Sequence, residues 1–303
     1  MNESAVPVNL SLPPMEMAMP IHVLGDSNTL AYRLQTLSAP QYFARPIVTV
    51  VHYFPEFSAQ SSFSGDKLNP QLDAYIRDPI FSRGVAHRND WRGVQPDVVR
   101  LQRAKGRERP VSEEFNYVDN PVVVLCVGAL DLAWVLSELG PGVDFHLEDP
   151  RFHEAAFSPQ AHARVSTDAV RELCRARIAP LEHALARLVG LCFERLYVRS
   201  LHPPTLEDIA YFRMRRVLTS AVQRYKVTLL LNTLLRESAE RAGARFLDTW
   251  DETTRDGVVR PELVFDPDHL NRAAAELSLA KLLRDLVARR SAPLDPIDRF
   301  RLS

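Results

Sequence analysis

An α/β fold, with a parallel sheet covered by helices on both faces, is what this 303-residue sequence predicts. Three observations carry that expectation. Short β-branched or apolar runs alternate with longer segments of helical spacing, as strands joined by crossover helices do. The run Pro121 to Val127 (PVVVLCV) is apolar without interruption, as a strand buried on both faces is. No repeat, low-complexity tract or Pro/Gly-rich linker divides the chain. One domain is therefore expected over residues 20–290, between an irregular arm (1–19) and a tail (291–303).

The elements follow in order. Ile21 to Leu24 is a short apolar strand running into a sharp turn at Gly25-Asp26-Ser27, and Asn28 to Leu37 has the composition of a following helix. Pro46 to His52 (PIVTVVH) is β-branched and predicts a second strand. Residues 53–92 are irregular, and a stretch of that length inside a domain is usually functional. Gln95 to Ala104 has helical character. After the strand at 121–127, Leu130 to Leu139 predicts a helix. Ser166 to Leu191 is a longer one, with Val170, Leu173, Ile178, Leu181, Leu185 and Leu188 near helical spacing and a kink expected at Pro180. Arg195 to Leu201 predicts a strand, Leu206 to Ala242 helix, and Ala244 to Leu247 a last short strand. Asn271 caps a final helix whose expected inner face is Leu277, Ala280, Leu283 and Val287.

The composition narrows the function. Hydrophobic residues make up 46% and charged residues 25%, with a formal net charge of -1. That balance predicts no global attraction to nucleic acid or to an anionic membrane. No apolar run approaches the ~20 residues of a membrane-spanning helix. The N-terminal segment lacks the basic stretch of a signal peptide, so a cytoplasmic location is expected. Cys126, Cys174 and Cys192 form no CxxC pair and are expected to be buried and reduced. His52, His87, His146, His153, His162 and His183 show no metal-ligand spacing, and no P-loop or GxGxxG is present; no cofactor and no metal are expected. Trp91, Trp134 and Trp250 are expected to be packing residues and not a stacking platform. The arginines between 83 and 109 suit either an anionic partner or a solvated face.

Two motifs carry chemistry. The first is Gly25-Asp26-Ser27-Asn28-Thr29, at the carboxyl end of the first strand, where open α/β sheets bind ligands. Amides at the start of the following helix would favour an oxyanion there. The second is Asp266-Pro267-Asp268-His269-Leu270-Asn271, just before the last helix. A serine hydroxyl needs a base, histidine suits that task at neutral pH, and a carboxylate three residues earlier can orient it. Each motif alone is also an ordinary turn or helix cap. Their joint placement at opposite ends of the chain, each at a strand-to-helix junction, is more specific.

In these blocks the chain resembles the SGNH (GDSL) hydrolase family. GDSNT at 25–29 is similar to the family's serine block and DPDHLN at 266–271 to its last block. VVVLCVGALDL at 122–132 resembles its third block, an apolar strand ending in Gly-x-Asn-Asp, and LHPP at 201–204 its Pro-rich fourth segment. The resemblance implies a three-layer α/β/α sandwich of flavodoxin-like character. It implies Ser27 as nucleophile, His269 as base and then acid, Asp266 as orienter, and an acyl-enzyme passed to water or to an acceptor hydroxyl or amine. The implied substrate is a small-molecule or carbohydrate ester. Asp26 and Asn28 flank the serine. The chain departs from the pattern at Leu130, which stands where the family has an oxyanion asparagine. His202, Asn89 and Asn232 are candidate substitute donors, and a site that binds without turning over is the remaining alternative. Asp131 is expected to cap its own helix. The oxyanion glycine aligns with none of Gly65, Gly84 and Gly93 securely; Gly65 has the most usual distance from Ser27.

Overall fold

The computed structural model describes residues 19–33, 35–37, 47–77, 87–90, 94–98, 122–157, 163–190 and 195–291. Of the arm expected over 1–19, Met19 belongs to the first strand, and of the tail expected over 291–303, Ser291 belongs to the last helix; residues 1–18 and 292–303 lie outside the described residues, as do Cys192, Trp91, Gly84 and Gly93.

One six-stranded sheet organises the chain. Its strands are β1 (Met19–Gly25), β2 (Thr36–Leu37), β3 (Ile47–Tyr53), β4 (Val122–Cys126), β5 (Leu196–Arg199) and β6 (Arg245–Leu247), in spatial order β6-β5-β4-β1-β3-β2. All neighbours run parallel except β2, an antiparallel edge on β3. Without that edge, the order is the doubly wound flavodoxin-like one, and its switch point falls between β1 and β4. The helices are α1 (Pro70–Arg77), α2 (Ala129–Leu139), α3 (Thr167–Gly190), α4 (Asp208–Arg215), α5 (Ala221–Arg241), α6 (Trp250–Thr253) and α7 (Arg272–Ser291).

Side-chain alternation along the strands divides the core in two. Leu24, Val123, Leu125, Leu196 and Val198 point to one side and pack with α2, α3 and α5. Ile21, Val23, Val122, Val124, Cys126 and Tyr197 point to the other, against Leu279, Leu282 and Leu286 of α7. Two apolar faces on one sheet require two helical layers, and this is the three-layer sandwich expected. Cys126 and Cys174 are buried and free.

Four elements differ from expectation. Asn28 to Leu37 does not form an α-helix. A 3-10 turn spans Ser27–Tyr32, after which Gln35 and Thr49 exchange hydrogen bonds that draw the chain onto β3 as an edge strand. Val94–Val98 pairs antiparallel with His87–Asp90 and is not helical, while 99–104 of the helix expected from Gln95 lie outside the described residues. The expected helix from Leu206 to Ala242 is two helices. Arg216 ends α4 in the left-handed conformation (φ 58°), and the Ser220 hydroxyl starts α5 by accepting the Gln223 N–H. The inner face of α7 is Ala275, Leu279, Leu282 and Leu286, with Leu277, Ala280, Leu283 and Val287 only half-buried. Asn271 does cap α7, its Oδ1 accepting from Ala273 and Ala274. Pro180 lies inside α3 without ending it. Trp250 is buried, whereas Trp134 is partly exposed beneath the Arg177 guanidinium, 4.7 Å from the ring centre.

Candidate active site

Ser27 is positioned by a turn with little freedom. β1 ends at Gly25 (φ 146°), where a Cβ would stand 1.8 Å from the Cys126 carbonyl oxygen of β4; only glycine allows that approach. The Asp26 N–H then donates to the same carbonyl at 3.3 Å. The buried Asp26 carboxylate accepts the Asn28 backbone N–H at 2.9 Å and its Nδ2 at 3.0 Å, while the Asp26 carbonyl accepts the Thr29 N–H and hydroxyl. Asp26 and Asn28 thus hold the turn closed, and half-buried Ser27 is its first residue. Since a 3-10 turn follows, the long helix dipole expected behind the serine is absent.

The second motif is a two-stranded hairpin, Val264–Asp266 with His269–Leu270. Asp266 Oδ1 accepts the backbone N–H groups of Asp268 and His269, each at 2.9 Å, an arrangement that aspartate forms readily in tight turns. Both carboxylate oxygens also lie 2.8 Å from His269 Nδ1. His269 Nε2 lies 2.7 Å from Ser27 Oγ, across 242 residues of sequence. The two terminal motifs therefore meet, with the His269 and Asp266 side chains 22% and 25% exposed and open to a ligand. Burial opposes charge on both groups. Against it, the hydrogen bond with Asp266 and the charges of Asp268 and Asp266 hold the His269 imidazole above its ordinary pKa, and the bonds from His269 and Asp268 hold Asp266 below its own.

Asp268, between these two residues, was not singled out by the sequence. It is buried and ion-paired with Arg215 of α4, and burial pushes its carboxyl up against the pull of that arginine. Its carbonyl accepts from His202 Nε2 at 2.9 Å. Burial, with the charges of Arg199 and His269, lowers His202 to about 3, so it is neutral at pH 7. A neutral imidazole has one N–H. The carbonyl takes it, which leaves Nδ1 as an acceptor and removes His202 as an oxyanion donor. The buried Asn232 amide is paired with the Leu201 backbone: Oδ1 accepts the Leu201 N–H at 2.7 Å and one Nδ2–H donates to the Leu201 carbonyl at 2.9 Å. The Asn89 side chain lies outside the described residues.

Leu130 stands on the first turn of α2, beyond the β4 end and beside the β1 end that precedes Ser27. It is half-buried and belongs to neither sheet core. Gly128 before it has φ 112°, with Leu201 side-chain atoms 3.2 Å from where a Cβ would be. Asp131 does not cap α2. Its buried carboxylate reaches across to residues 59 and 60, accepting Ala59 N–H at 2.6 Å and Gln60 N–H at 3.2 Å, and is bridged by Arg177 Nε at 3.0 Å. The loop so anchored starts at Phe54, whose N–H donates to the Gly25 carbonyl at 2.7 Å, two residues from Ser27. Gly65 lies in the exposed turn between Phe63–Ser64 and Lys67–Leu68, where a Cβ would meet nothing within 4 Å.

Polar side chains are also buried on both faces of the sheet: Arg199 of β5, on the α7 face, has its guanidinium 5.6 Å from the Tyr32 ring centre, and on the opposite face His22 and His52 stack at 6.0 Å. Burial pushes Asp26 up to about 6, the bonds from Asn28 limiting the rise. Single buried polar residues inside strands give no pattern that would pair them. Among the described residues no cluster of His, Cys, Asp or Glu could hold a metal.

The sequence matches no protein-family model and no curated protein. Solved structures similar to it include lipases and acylhydrolases. A GDSL-like lipase from Bacteroides thetaiotaomicron VPI-5482 superposes with a TM-score of 0.39 at 13% identity, over 89% of this chain and 88% of that one. The lipase/acylhydrolase from Enterococcus faecalis gives 0.37 at 13% identity, over 89% and 96%. Phospholipase A1 from Streptomyces albidoflavus NA297 gives 0.41 at 10% identity, over 88% and 99%.

Proposed function

We propose that this protein is a serine-dependent ester hydrolase of SGNH type. The observation that carries this is the chain of hydrogen bonds from Ser27 Oγ through the His269 imidazole to Asp266, with 2.7 Å on one side of the ring and 2.8 Å on the other. His269 Nε2 takes the Ser27 proton as Oγ attacks the ester carbonyl. The C–O bond to the alcohol then breaks, and the imidazolium returns that proton to the leaving oxygen. Water repeats the sequence on the acyl-enzyme, releasing the acid and restoring Ser27. Asp266 fixes the Nδ1–H tautomer and stabilises the imidazolium.

The backbone N–H of Ser27 is the oxyanion donor assigned here. Leu130 supplies none, His202 has none to spare, and the buried Asn232 amide is paired with the Leu201 backbone. A missing donor typically costs ~10²–10³ in rate, so slow turnover of generic esters is expected. Small-molecule or carbohydrate esters are the substrates proposed.

Intact mass after treatment with a fluorophosphonate tests the proposal. One adduct is expected on the wild type and none on Ser27→Ala or His269→Ala. An unlabelled, well-folded wild type overturns it.

A further inference from the structure

Large apolar side chains concentrate on one stretch of surface. Eight are exposed among the described residues, and five of them (Leu206, Ile209, Phe212, Met214 and Leu218) fall within thirteen consecutive positions around α4. Ile209 is 68% exposed and Leu218 58%. The helix is inverted relative to an ordinary surface helix, which hides its apolar stripe. Tyr211 is buried, and Arg215, one turn later, reaches inward to Asp268. At 100° per residue, 209 and 213 then face away from the protein, with 212 on the flank. The outward surface is Ile209 and Phe212 beside exposed Arg213 and Arg216. Glu207 is exposed nearby, and Asp208 is spent on Arg224 at 3.0 Å. The surface continues into an open groove of about 590 Å³ lined by Leu206, Ile209, Phe157 and Val222 together with Glu207 and Asp208.

We propose that this face of α4 docks the protein on an anionic lipid surface. Exposed apolar residues interleaved with arginine are the chemistry of helices that lie in a headgroup layer. A second copy of the chain is a poorer occupant, because a two-fold interface centred on so short a helix sets Arg213 and Arg216 against their own counterparts. The helix is also fastened to the Ser27–His269 site: Arg215 pairs with Asp268, and Thr205 N–H donates to the Pro267 carbonyl. Docking would therefore hold that site close to the lipid boundary. Any action on lipid esters there rests on the proposed hydrolase function; the docking itself does not.

The test is vesicle flotation of the full chain with diether phosphatidylcholine alone and with an equimolar mixture of diether phosphatidylcholine and phosphatidylglycerol. These lipids contain no ester, so binding is read without turnover and stands or falls apart from the role of Ser27. Flotation with the anionic vesicles only is expected. Arg213→Gln with Arg216→Gln should weaken it about 25-fold, at roughly fivefold per arginine. Ile209→Ser with Phe212→Ser, at exposed positions, should abolish it. No flotation of the wild type overturns the proposal, as does equal flotation with neutral vesicles or undiminished binding by either double variant. A wild-type dimer that Ile209→Ser with Phe212→Ser converts to monomer, without lipid binding, assigns the face to self-association instead.

Discussion

The Asp131 carboxylate of α2 accepts the backbone N–H of Ala59, 72 residues earlier, at 2.6 Å. It thereby ties the loop after β3 to the helix after β4, on either side of the strand that delivers Ser27. Asp131→Ala orphans two N–H groups and the partner of Arg177. At about 1–3 kcal/mol per buried unpaired donor, a loss of roughly 2–4 kcal/mol is expected, read as a lower urea midpoint at unchanged slope. Asp131→Asn, which keeps an acceptor, should recover part of it. An unchanged midpoint in Asp131→Ala would show that the loop is held by other contacts.

Leu130→Asn introduces a side-chain donor where the family resemblance places one. Turnover of a generic ester should rise toward the ~10²–10³ that one oxyanion donor supplies, in kcat more than in KM. A folded variant with no gain would mean that the side chain does not reach the oxyanion.

The pH profile follows from His269. A base works when neutral, and the Asp266 bond with the nearby carboxylates holds this imidazole above its ordinary value. The acid limb of kcat/KM should therefore have its midpoint above the ~6.5 of an unperturbed histidine. Asp266→Asn removes a negative charge, so the residual activity, reduced on the order of 10⁴-fold, should show a limb moved to lower pH. A limb that does not move would separate Asp266 from the histidine that titrates.

Arg215→Met leaves Asp268 buried without its cation. A cost of about 3–5 kcal/mol is expected at neutral pH. An acid whose folded pKa is raised binds its proton more tightly folded than unfolded. Stability of the variant should then fall as pH rises past ~3.9, the ordinary aspartate value, and its deficit against wild type should shrink at acid pH. Thermal midpoints of both proteins between pH 4 and 8 measure it; a deficit independent of pH would argue against a buried charge at 268.

Much of the molecule was legible along the chain because the signals are local. Ile21 to Leu24 and PVVVLCV are apolar runs of strand length, and burial on both faces requires that. Gly25-Asp26-Ser27 ends a strand with the one residue that tolerates the Cys126 carbonyl. Asp266 and His269 are three residues apart, close enough for one turn to join them. By itself, then, the sequence determined the alternating strands and helices, and two motifs chemically able to act together.

Tertiary structure decided what depends on neighbours distant in sequence. Thr49 drew residues 35–37 into an edge strand that propensity would have made helical. The break between α4 and α5 reflects the inward reach of Arg215 to Asp268 and of Arg224 to the Thr205 and Thr219 carbonyls, which fixes two helix directions instead of one. His202 lost its donor role because burial keeps it neutral and the Asp268 carbonyl takes its single N–H. Hydrophobic period and turn chemistry are written residue by residue. Which polar group a buried polar group satisfies is set only when the chain is packed, and that pairing placed His269 against Ser27.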